Sequence, residues 1–303
     1  MTAEYTIAIC TYNRADVLKL CLESIAQFKP EFLEVPVLVI NNNCTDSTSQ
    51  VVASFGGQLA IREVVEKNQG LSAARNRAFQ ECTTSYIIYL DDDAKVTQEW
   101  FKGLHKGLKD FANPDYFGGP YGPYYLVQKP VWFKDRYGSD HLQQERGPIR
   151  EGDHISGGNM GWKVELIRAC GGFSTELGMN GKKVAFGEET ALLHRARTLF
   201  PEARGVFLPD MKMEHLVPEY KMDLRYCVKR FWNLGRDDFK SFPGRYPINV
   251  KTFAYEVALL GFLPVYYLFR NRERYPYWQN LFYEVGLWRV RFWGRVYTAL
   301  LGR

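Results

Sequence analysis

Ser85-Tyr-Ile-Ile-Tyr-Leu90, followed directly by Asp91-Asp92-Asp93, is the stretch of this 303-residue chain that decides its fold. The first six residues carry no charge, and their aromatic and β-branched side chains predict a buried strand. Ligands of open α/β sheets bind at the carboxyl ends of the strands, which is where the three acids stand. Three adjacent carboxylates repel one another unless a cation compensates them. The stretch therefore predicts a sheet edge that binds a cation.

A regular alternation of strands and helices precedes this stretch. Short apolar runs predict strands at residues 5–10, 35–40 and 60–65. Amphipathic or capped patterns predict helices at residues 16–28, 46–53 and 70–81. Strands that alternate with helices in this way form parallel sheets with right-handed crossovers. The predicted fold class is therefore α/β, with a doubly wound, mostly parallel, Rossmann-like sheet.

The pattern changes beyond Asp93. Residues 111–150 combine glycine–proline pairs with many aromatics, and they predict irregular loops and edge strands. Helical patterns return at three places, residues 163–169, 188–198 and 221–236. We therefore expect an α/β domain over residues 1–220 and a helical, aromatic-rich extension over residues 221–303.

Composition limits the class of protein. Apolar residues make up 46% of the chain, which is enough for a large buried core, and the net charge of +5 is mild for this length. The basic residues form no recognisable nucleic-acid-binding module, so no nucleic acid is expected as a partner. Six scattered cysteines without metal-like spacing indicate buried free thiols in a reducing compartment.

The chain is expected in the cytoplasm. Its N-terminal residues have no secretory signal pattern. Its longest uncharged stretch, residues 257–269, has 13 residues and contains a proline. This is short of the roughly 20 apolar residues that span a bilayer.

The acids after the strand favour a hard divalent cation. Mg²⁺ and Mn²⁺ bind one or two carboxylates together with phosphate oxygens of a ligand. The triplet therefore predicts a metal-bound diphosphate. The alternative is a solvated acidic turn or a helix N-terminus, where aspartate is common because it caps the helix.

Several motifs, taken in order, resemble those of one enzyme family. They are Ile9-Cys-Thr-Tyr-Asn-Arg14, Val39-Ile-Asn-Asn-Asn-Cys-Thr-Asp46, Asn68-Gln-Gly-Leu-Ser-Ala-Ala-Arg-Asn76, Leu90-Asp-Asp-Asp93, Ser156-Gly-Gly-Asn-Met160, Gly171-Gly-Phe173 and Gly187-Glu-Glu189. The ordered set resembles the family-2 glycosyltransferases, inverting enzymes of the GT-A fold, over residues 5–215. The resemblance implies transfer of a sugar from a nucleotide-diphosphate donor to an acceptor hydroxyl, in polysaccharide or glycolipid synthesis. It also implies a nucleotide-binding half over residues 1–110 and an acceptor- and sugar-binding half over residues 111–220.

The resemblance implies a nucleotide site built from the first motifs. Tyr12 is expected against the nucleobase, with Thr11 and Arg14 near base and phosphate. Asn42 stands where many members have an aspartate that reads the base edge. Its amide both donates and accepts, so it can pair with a pyrimidine edge, and the identity of the base stays open. Arg75 is expected to hold the nucleotide, since a guanidinium suits phosphate, although the same residue also fits an exposed charge on a helix.

The resemblance also implies the metal ligands. Asp91 and Asp93 are expected to bind Mn²⁺ or Mg²⁺, and Asp92 is expected at the ribose or the metal. His215 is expected as a late metal ligand or as a contact to the diphosphate. A hydrogen-bonded structural histidine is the alternative for this residue.

The later motifs are implied to bind the sugar and to activate the acceptor. Gly158 lets the backbone approach the transferred sugar, and Asn159 is expected to bond a sugar hydroxyl. Glu189 replaces the family's usual aspartate as the base that removes the acceptor proton, and Glu188 is the other candidate. The reaction implied is a single displacement with inversion. The alternative is a pair of exposed acids in the first turn of a helix, where the dipole favours them.

The C-terminal segment leaves two partners open. Residues 251–303 hold 15 aromatics and 8 Lys or Arg against 3 acids. Helical spacing groups five apolar residues, Leu281, Val285, Trp288, Phe292 and Val296. A basic amphipathic helix of this kind fits the inner face of an anionic membrane, where a lipid-linked rather than a free saccharide acceptor is found. The same stripe fits a core helix or a homodimer interface.

Two other functions stay open. A sugar-nucleotide nucleotidyltransferase uses a similar sheet, a metal and acids, but it carries a glycine-rich loop with a basic residue after the first strand. This chain has Cys10-Thr-Tyr-Asn-Arg14 there. The third hypothesis is a non-catalytic protein that binds a nucleotide sugar or a polysaccharide.

Overall fold

The computed structural model describes residues 4–28, 35–140, 145–150, 153, 155–181, 187–241, 248–270 and 274–301. Contacts divide the chain into two compact units. The first holds Met1–Tyr124, Gly138–Lys183 and Glu188–Leu216, and the second holds Tyr125–Tyr137, Val184–Gly187 and Val217–Arg303. The domain boundary expected at residue 220 and the roles expected for each part stay predictions.

The first unit is built on two sheets. In chain order its strands are β1 (Tyr5–Thr11), β2 (Pro36–Asn41), β3 (Ala60–Val65), β4 (Tyr86–Asp91), β5 (Ala94–Lys95), β6 (Tyr116–Gly118), β7 (Tyr121–Tyr124), β8 (Gly147–Pro148), β9 (Asn159–Lys163), β10 (Gly205–Phe207) and β11 (Met213–Leu216). The large sheet has the order β3-β2-β1-β4-β9-β6-β10-β8, and the small sheet has the order β5-β11-β7. Strands β3, β2, β1 and β4 are parallel, as the alternating pattern predicted.

Helices cover both faces of the large sheet. They are α1 (Ala15–Ala26), α2 (Thr48–Ser54), α3 (Leu71–Glu81), α4 (Gln98–Asp110), α5 (Val164–Ala169) and α6 (Glu188–Leu199). On β1, Ile7 and Ile9 join the core cluster that contains residues of α1, α2 and α4, while Ala8 joins the cluster that contains residues of α3, α5 and α6. Because both faces are buried, the central strands are continuous apolar runs instead of alternating ones.

The far half of the sheet differs from the expectation of loops and edge strands. Strand β9 runs antiparallel between β4 and β6, and β6 is an interior strand. The expectation is correct for β7 and β8, which are edge strands, and wrong for β6. Three residues are too few for periodicity to reveal burial on both faces. Residues 141–144 of the same stretch lie outside the described residues.

The second unit is mainly helical. Its helices are α7 (Leu224–Ser241), α8 (Val250–Arg270), α9 (Trp278–Leu281) and α10 (Leu287–Leu301), with a π-helical turn over Phe282–Gly286. Phe292 and Val296 of the predicted apolar stripe are buried, and Asp238 on α7 accepts hydrogen bonds from Arg291 and Arg295 on α10. Much of the stripe is therefore internal packing between helices of this unit.

No helix in the described part of the chain combines the length and the apolar character that crossing a membrane requires.

Close packing between β9 and β6 makes a stability prediction. Gly161 stands opposite Phe117, and a Cβ at this glycine would lie 2.1 Å from the Phe117 ring. We expect Gly161→Ala to lower the free energy of unfolding by about 1–3 kcal/mol, because overpacking a tight core forces side chains and backbone to shift. Urea denaturation measures the change. Gly57→Ala is the control, since nothing lies within 4 Å of a Cβ at Gly57, and equal losses in the two variants would contradict the packing argument.

Candidate active site

Two carboxylates and one histidine converge at the carboxyl end of β4. Asp91, Asp93 and His215 each offer a ligand atom, and these atoms lie within 4.8 Å of one another. The His215 Nε2 is 3.2 Å from Asp93 Oδ1 and 3.9 Å from Asp91 Oδ2. In the part of the chain that the structure describes, this is the one cluster with such spacing. Its members are the three residues expected from the sequence as metal ligands.

Backbone pairing brings His215 to acids that are distant in sequence. Strand β11 runs antiparallel to β5, which directly follows the acidic triplet, so His215 stands opposite Ala94. The N–H of Leu216 donates to the carbonyl of Asp93 at 3.0 Å. On the other side, the ring of Tyr121 from β7 lies 5.2 Å from the His215 ring. Sequence reasoning missed Tyr121, because nothing in an irregular aromatic stretch signals which ring packs on the histidine.

The loop after β1 holds the middle acid of the triplet. Asp92 is buried and accepts hydrogen bonds from the Thr11 hydroxyl at 2.8 Å and from Arg14 at 2.5 Å. Arg14 also donates to Asp93 at 2.8 Å. Burial raises the pKa of Asp92 to about 7, with the charge of Arg14 opposing the shift and that of Asp93 adding to it. Thr11, expected near the nucleotide, therefore contacts a carboxylate of the site.

The loops after β1 and β2 lie side by side because these strands are parallel neighbours. Asn13 and Asn43 have φ angles of 50° and 64°, in the left-handed region that asparagine tolerates better than most residues. The Asn13 side chain accepts from the N–H of Thr45 at 2.6 Å, and Asn43 donates to the carbonyl of Lys67 at 2.8 Å. Tyr12 is 38% exposed within this framework. The signal for the two missed asparagines was their residue type directly after a strand.

Both polar atoms of the Asn42 side chain form hydrogen bonds with the loop at residues 66–70. Its amide donates to the carbonyls of Glu66 and Asn68, and its oxygen accepts from the Gly70 N–H and from Gln69. The residue is 3% exposed. Both hydrogens of the amide are used within the protein, so none is left to donate to a base edge as the resemblance implied.

Asn159 is engaged in a similar way. Its side chain is fully buried, accepts from the Trp100 indole at 2.9 Å and donates to the carbonyls of Pro120 and Met211. Both hydrogens of its amide are therefore used within the protein, and its bond to a sugar hydroxyl stays a prediction. It ties β9 to α4 and to the segment before β11.

The glycines before β9 are required by neighbouring side chains. A Cβ at Gly157 would lie 2.8 Å from Arg75, and a Cβ at Gly158 would lie 2.2 Å from the Asp91 carboxylate. Gly158 was expected to allow a sugar to approach the backbone. The structure gives a further reason for a glycine here, because the Asp91 carboxylate lies close to this backbone and leaves no room for a Cβ.

A buried ion pair joins α3 to the start of α6. Arg75 lies 2.5 Å from the Glu188 carboxylate, and both side chains are nearly fully buried. The alternatives of an exposed charge for Arg75 and of two exposed acids at the helix start are therefore wrong. Burial and the charge of Glu188 raise the pKa of Glu189 well above the usual carboxyl range, with Arg75 opposing the shift. A carboxyl group of this kind is a stronger base once it has lost its proton.

Contacts link most of the expected site residues. Thr11 and Arg14 bond Asp92, Arg14 and His215 reach Asp93, and Asp91 lies near both His215 and Arg75. Arg75 in turn forms an ion pair with Glu188. Asn42 and Asn159 support this network from outside it.

The mostly parallel sheet, with acids and a facing histidine at the end of β4, agrees with the GT-A fold that the sequence motifs implied. The chain belongs to glycosyl transferase family 2, whose sequence profile matches residues 6–166, more than half of its length.

Known proteins of similar sequence and structure agree with this assignment. The chain is 26% identical over 241 residues to the glucosyl-dolichyl phosphate glucuronosyltransferase of Haloferax volcanii. The aligned region covers 75% of this chain and 74% of that protein. It is 25% identical to the succinoglycan biosynthesis protein ExoM of Rhizobium meliloti, over 78% of this chain and 74% of the relative. The fold matches that of the mannosyltransferase PcManGT from Pyrobaculum calidifontis, solved with GDP-Man and Mn²⁺, at a TM-score of 0.64 and 19% identity, covering 99% of this chain and 88% of the other.

Proposed function

We propose that this glycosyltransferase uses a divalent cation and a nucleoside-diphosphate sugar, and that it inverts configuration at the transferred sugar. The observation that carries the proposal is the convergence of Asp91, Asp93 and His215 at the carboxyl end of β4. Arg14, which is partly exposed beside the same acids, adds a positive charge that suits a diphosphate. The related mannosyltransferase, solved with GDP-Man and Mn²⁺, supports a donor and a metal of these kinds.

The donor set fits a first-row divalent ion. Two carboxylates and one imidazole suit Mn²⁺ better than Mg²⁺, because Mg²⁺ takes mainly oxygen ligands in strict octahedral geometry. Asp91, Asp93 and His215 would hold the ion, which would supply positive charge to the oxygens of a leaving diphosphate. We therefore propose Mn²⁺ as the preferred metal and Mg²⁺ as a weaker substitute.

The protein's own groups account for binding and proton transfer. Tyr12 presents an exposed ring for a nucleobase to stack on, and Arg14 bonds diphosphate oxygens. Glu189 takes the proton of the acceptor hydroxyl while the oxygen of that hydroxyl bonds to the anomeric carbon. The bond from that carbon to the diphosphate oxygen breaks, and the diphosphate leaves with the electron pair. Attack opposite the leaving group inverts the configuration.

The acceptor is proposed to be a saccharide, free or lipid-linked. One relative is named for a glucosyl-dolichyl phosphate, which is a lipid-linked sugar. Another is named for the biosynthesis of succinoglycan, which is a polysaccharide. The base and the sugar of the donor stay open, because Asn42 keeps its amide hydrogens within the protein.

Asp93→Asn tests the metal site and the function together. We expect purified protein to transfer or hydrolyse a sugar from one of a panel of UDP-, GDP- and dTDP-sugars with Mn²⁺. Asp93→Asn should lower that rate by about 10²-fold or more, because the charge that holds the ion against the diphosphate is lost. Titration of the protein with Mn²⁺, followed by electron paramagnetic resonance, should give a correspondingly weaker dissociation constant.

Asp16→Asn is the matched control, since this aspartate is exposed in the first turn of α1 and is none of the three candidate ligands. It should bind Mn²⁺ and turn over as the unsubstituted protein does. Binding of a sugar nucleotide without any turnover would indicate the non-catalytic binder instead. Release of pyrophosphate from a nucleoside triphosphate and a sugar 1-phosphate would indicate the nucleotidyltransferase.

The raised pKa of Glu189 predicts the acid side of the pH profile. A base acts only when deprotonated, so kcat should fall as the pH drops through the pKa of Glu189, at a pH where an ordinary carboxylate is still ionised. Glu189→Gln should lower kcat by about 10²–10⁴-fold and remove this dependence. Steady-state rates measured across the pH range test both effects.

Glu189→Asp keeps a carboxylate and should retain the acidic limb at a reduced rate. If Glu189→Gln kept the rate of the unsubstituted enzyme, Glu189 could not be the base. The transferase activity itself would be unaffected by that result.

We also propose that an anionic lipid surface is a partner of the second unit. Residues 217–303 carry 15 Lys or Arg against 7 acids, a net charge of +8, whereas residues 1–216 carry −3. Among its described side chains, helix α8 exposes five large apolar ones, Val250, Phe253, Tyr255, Val257 and Phe262. Its Phe253 and Glu256 contact Trp293 and Arg289 of α10. Positive charge beside exposed apolar side chains is typical of helices that lie on anionic membranes.

Vesicle binding tests this partner. The protein should cosediment with phosphatidylglycerol-containing vesicles more than with pure phosphatidylcholine vesicles, and less at high salt. The double substitution Tyr255→Ser and Val257→Ser should weaken cosedimentation, whereas Leu199→Ser, an exposed apolar position of the first unit, should not. Loss of a dimer in the double variant, without vesicle binding by the parent, would indicate that a second copy of the chain covers this surface.

A further inference from the structure

Arg75 is an enclosed cation of the first unit. It is 3% exposed on α3, and its terminal nitrogens donate to the Glu188 carboxylate at 2.5 Å and to the Gly157 carbonyl at 2.9 Å. The rings of Tyr89 and Phe173 lie 5.9 and 5.6 Å from the guanidinium carbon. At this exposure the guanidinium has little surface left for a phosphate. Drawing it out to meet one would break a buried ion pair, which is costly.

On its other side the Glu188 carboxylate lies close against a glycine. A Cβ at Gly178 would lie 3.1 Å from Glu188 Oε2 and 3.0 Å from the Ser72 hydroxyl oxygen. Gly178 has a φ of +85°, a conformation that other residues rarely adopt. The first turn of α6 is thus tied down at Glu188, one residue before Glu189.

The same guanidinium reaches a third part of the site. Asp91 Oδ1 lies 3.8 Å from Arg75, and Asp91 belongs to the acid and histidine cluster. One side chain therefore contacts the end of β4, the glycine loop before β9 and the start of α6. These three segments are far apart in sequence, so their spacing depends on tertiary contacts of this kind.

The helix that carries Arg75 is itself anchored to the segment that precedes α6. The Ser72 hydroxyl donates to the Leu177 carbonyl at 2.8 Å. The Asn76 amide donates to the carbonyl of Phe173 at 2.8 Å and accepts from its N–H at 2.7 Å. Ser72, Arg75 and Asn76 share one face of α3 because residues three and four apart are neighbours on a helix. This face is a rigid support for Arg75.

Resting on the assignment of Glu189 as the base, we propose that Arg75 is a positioning residue and not a ligand of the nucleotide. It holds the first turn of α6 at a fixed distance from the metal-binding end of β4, so that the base faces the acceptor. Substitution of Arg75 should therefore change the rate of transfer while the nucleotide contacts of Tyr12 and Arg14 remain.

Arg75→Lys, Glu188→Gln and the double variant test the proposal. Lysine keeps the charge but cannot donate in two fixed directions, and a base displaced by about 1 Å costs about 10²-fold in rate. We expect kcat to fall by about 10²-fold in Arg75→Lys. The dissociation constant of UDP or GDP with Mn²⁺, measured by titration calorimetry, should change by less than about twofold. Because both residues act through one contact, the double variant should lose no more than the worse single variant.

Two results would overturn the proposal. One is a nucleoside diphosphate affinity that drops tenfold or more in Arg75→Lys while kcat is kept, which would make Arg75 a nucleotide ligand. The other is a double variant whose loss is the product of the single losses, which would make the two residues independent. Arg75→Met combined with Glu188→Gln removes both buried charges, so it reports on kcat and nucleotide binding even if Arg75→Lys fails to fold. The assignment of Glu189 as the base fails separately, through an unchanged kcat in Glu189→Gln. The proposed transferase function fails separately again, if no sugar nucleotide of the panel is turned over.

Discussion

Repulsion among three consecutive carboxylates at the end of β4 is the constraint on which the rest of the site depends. Burial of Asp92 and Asp93 intensifies it, because a low dielectric strengthens both repulsion and desolvation. Two groups beside the acids compensate this repulsion, Arg14 from the loop after β1 and His215 from β11. Each compensating group comes from a different segment, so the acids can be gathered only once those segments have folded around them. A divalent ion would complete the compensation from the ligand side.

A second set of residues fixes the geometry of the site through contacts within the protein. Asn42 and Asn159 resemble ligand-binding residues in sequence, yet each amide donates both of its hydrogens to backbone carbonyls. An unpaired buried carbonyl costs about 1–3 kcal/mol, so these amides stabilise the loops that carry the site. The same physics applies to Arg75 and Glu188, each of which needs the other once both are buried. Rigid support of this kind is what lets a catalytic base act at a defined position.

The second unit illustrates how one sequence pattern fits several structures. The apolar stripe of residues 281–296 has the spacing of a membrane-binding helix, but Phe292 and Val296 are buried within the unit, and Arg291 and Arg295 are paired with Asp238. Periodicity indicates that a face is apolar and not what covers it. Exposed apolar side chains of this unit lie on α8 and also on α9 and α10, where Trp278, Trp288 and Leu300 are exposed. On α8 apolar residues occur on more than one face, so the periodic signal there is weak.

Sequence alone determined the parallel strands β1 to β4 and the helices between them, because local periodicity and turn chemistry act over a few residues. It also indicated the acidic triplet and, through ordered motifs, the family. Tertiary structure alone decided that β9 enters the sheet antiparallel, that Tyr121 packs on His215, and that Asn42, Asn159 and Arg75 face the protein. A side chain's type states which bonds it can make. Which partner it meets depends on chain segments brought together from a distance, and that information is not local.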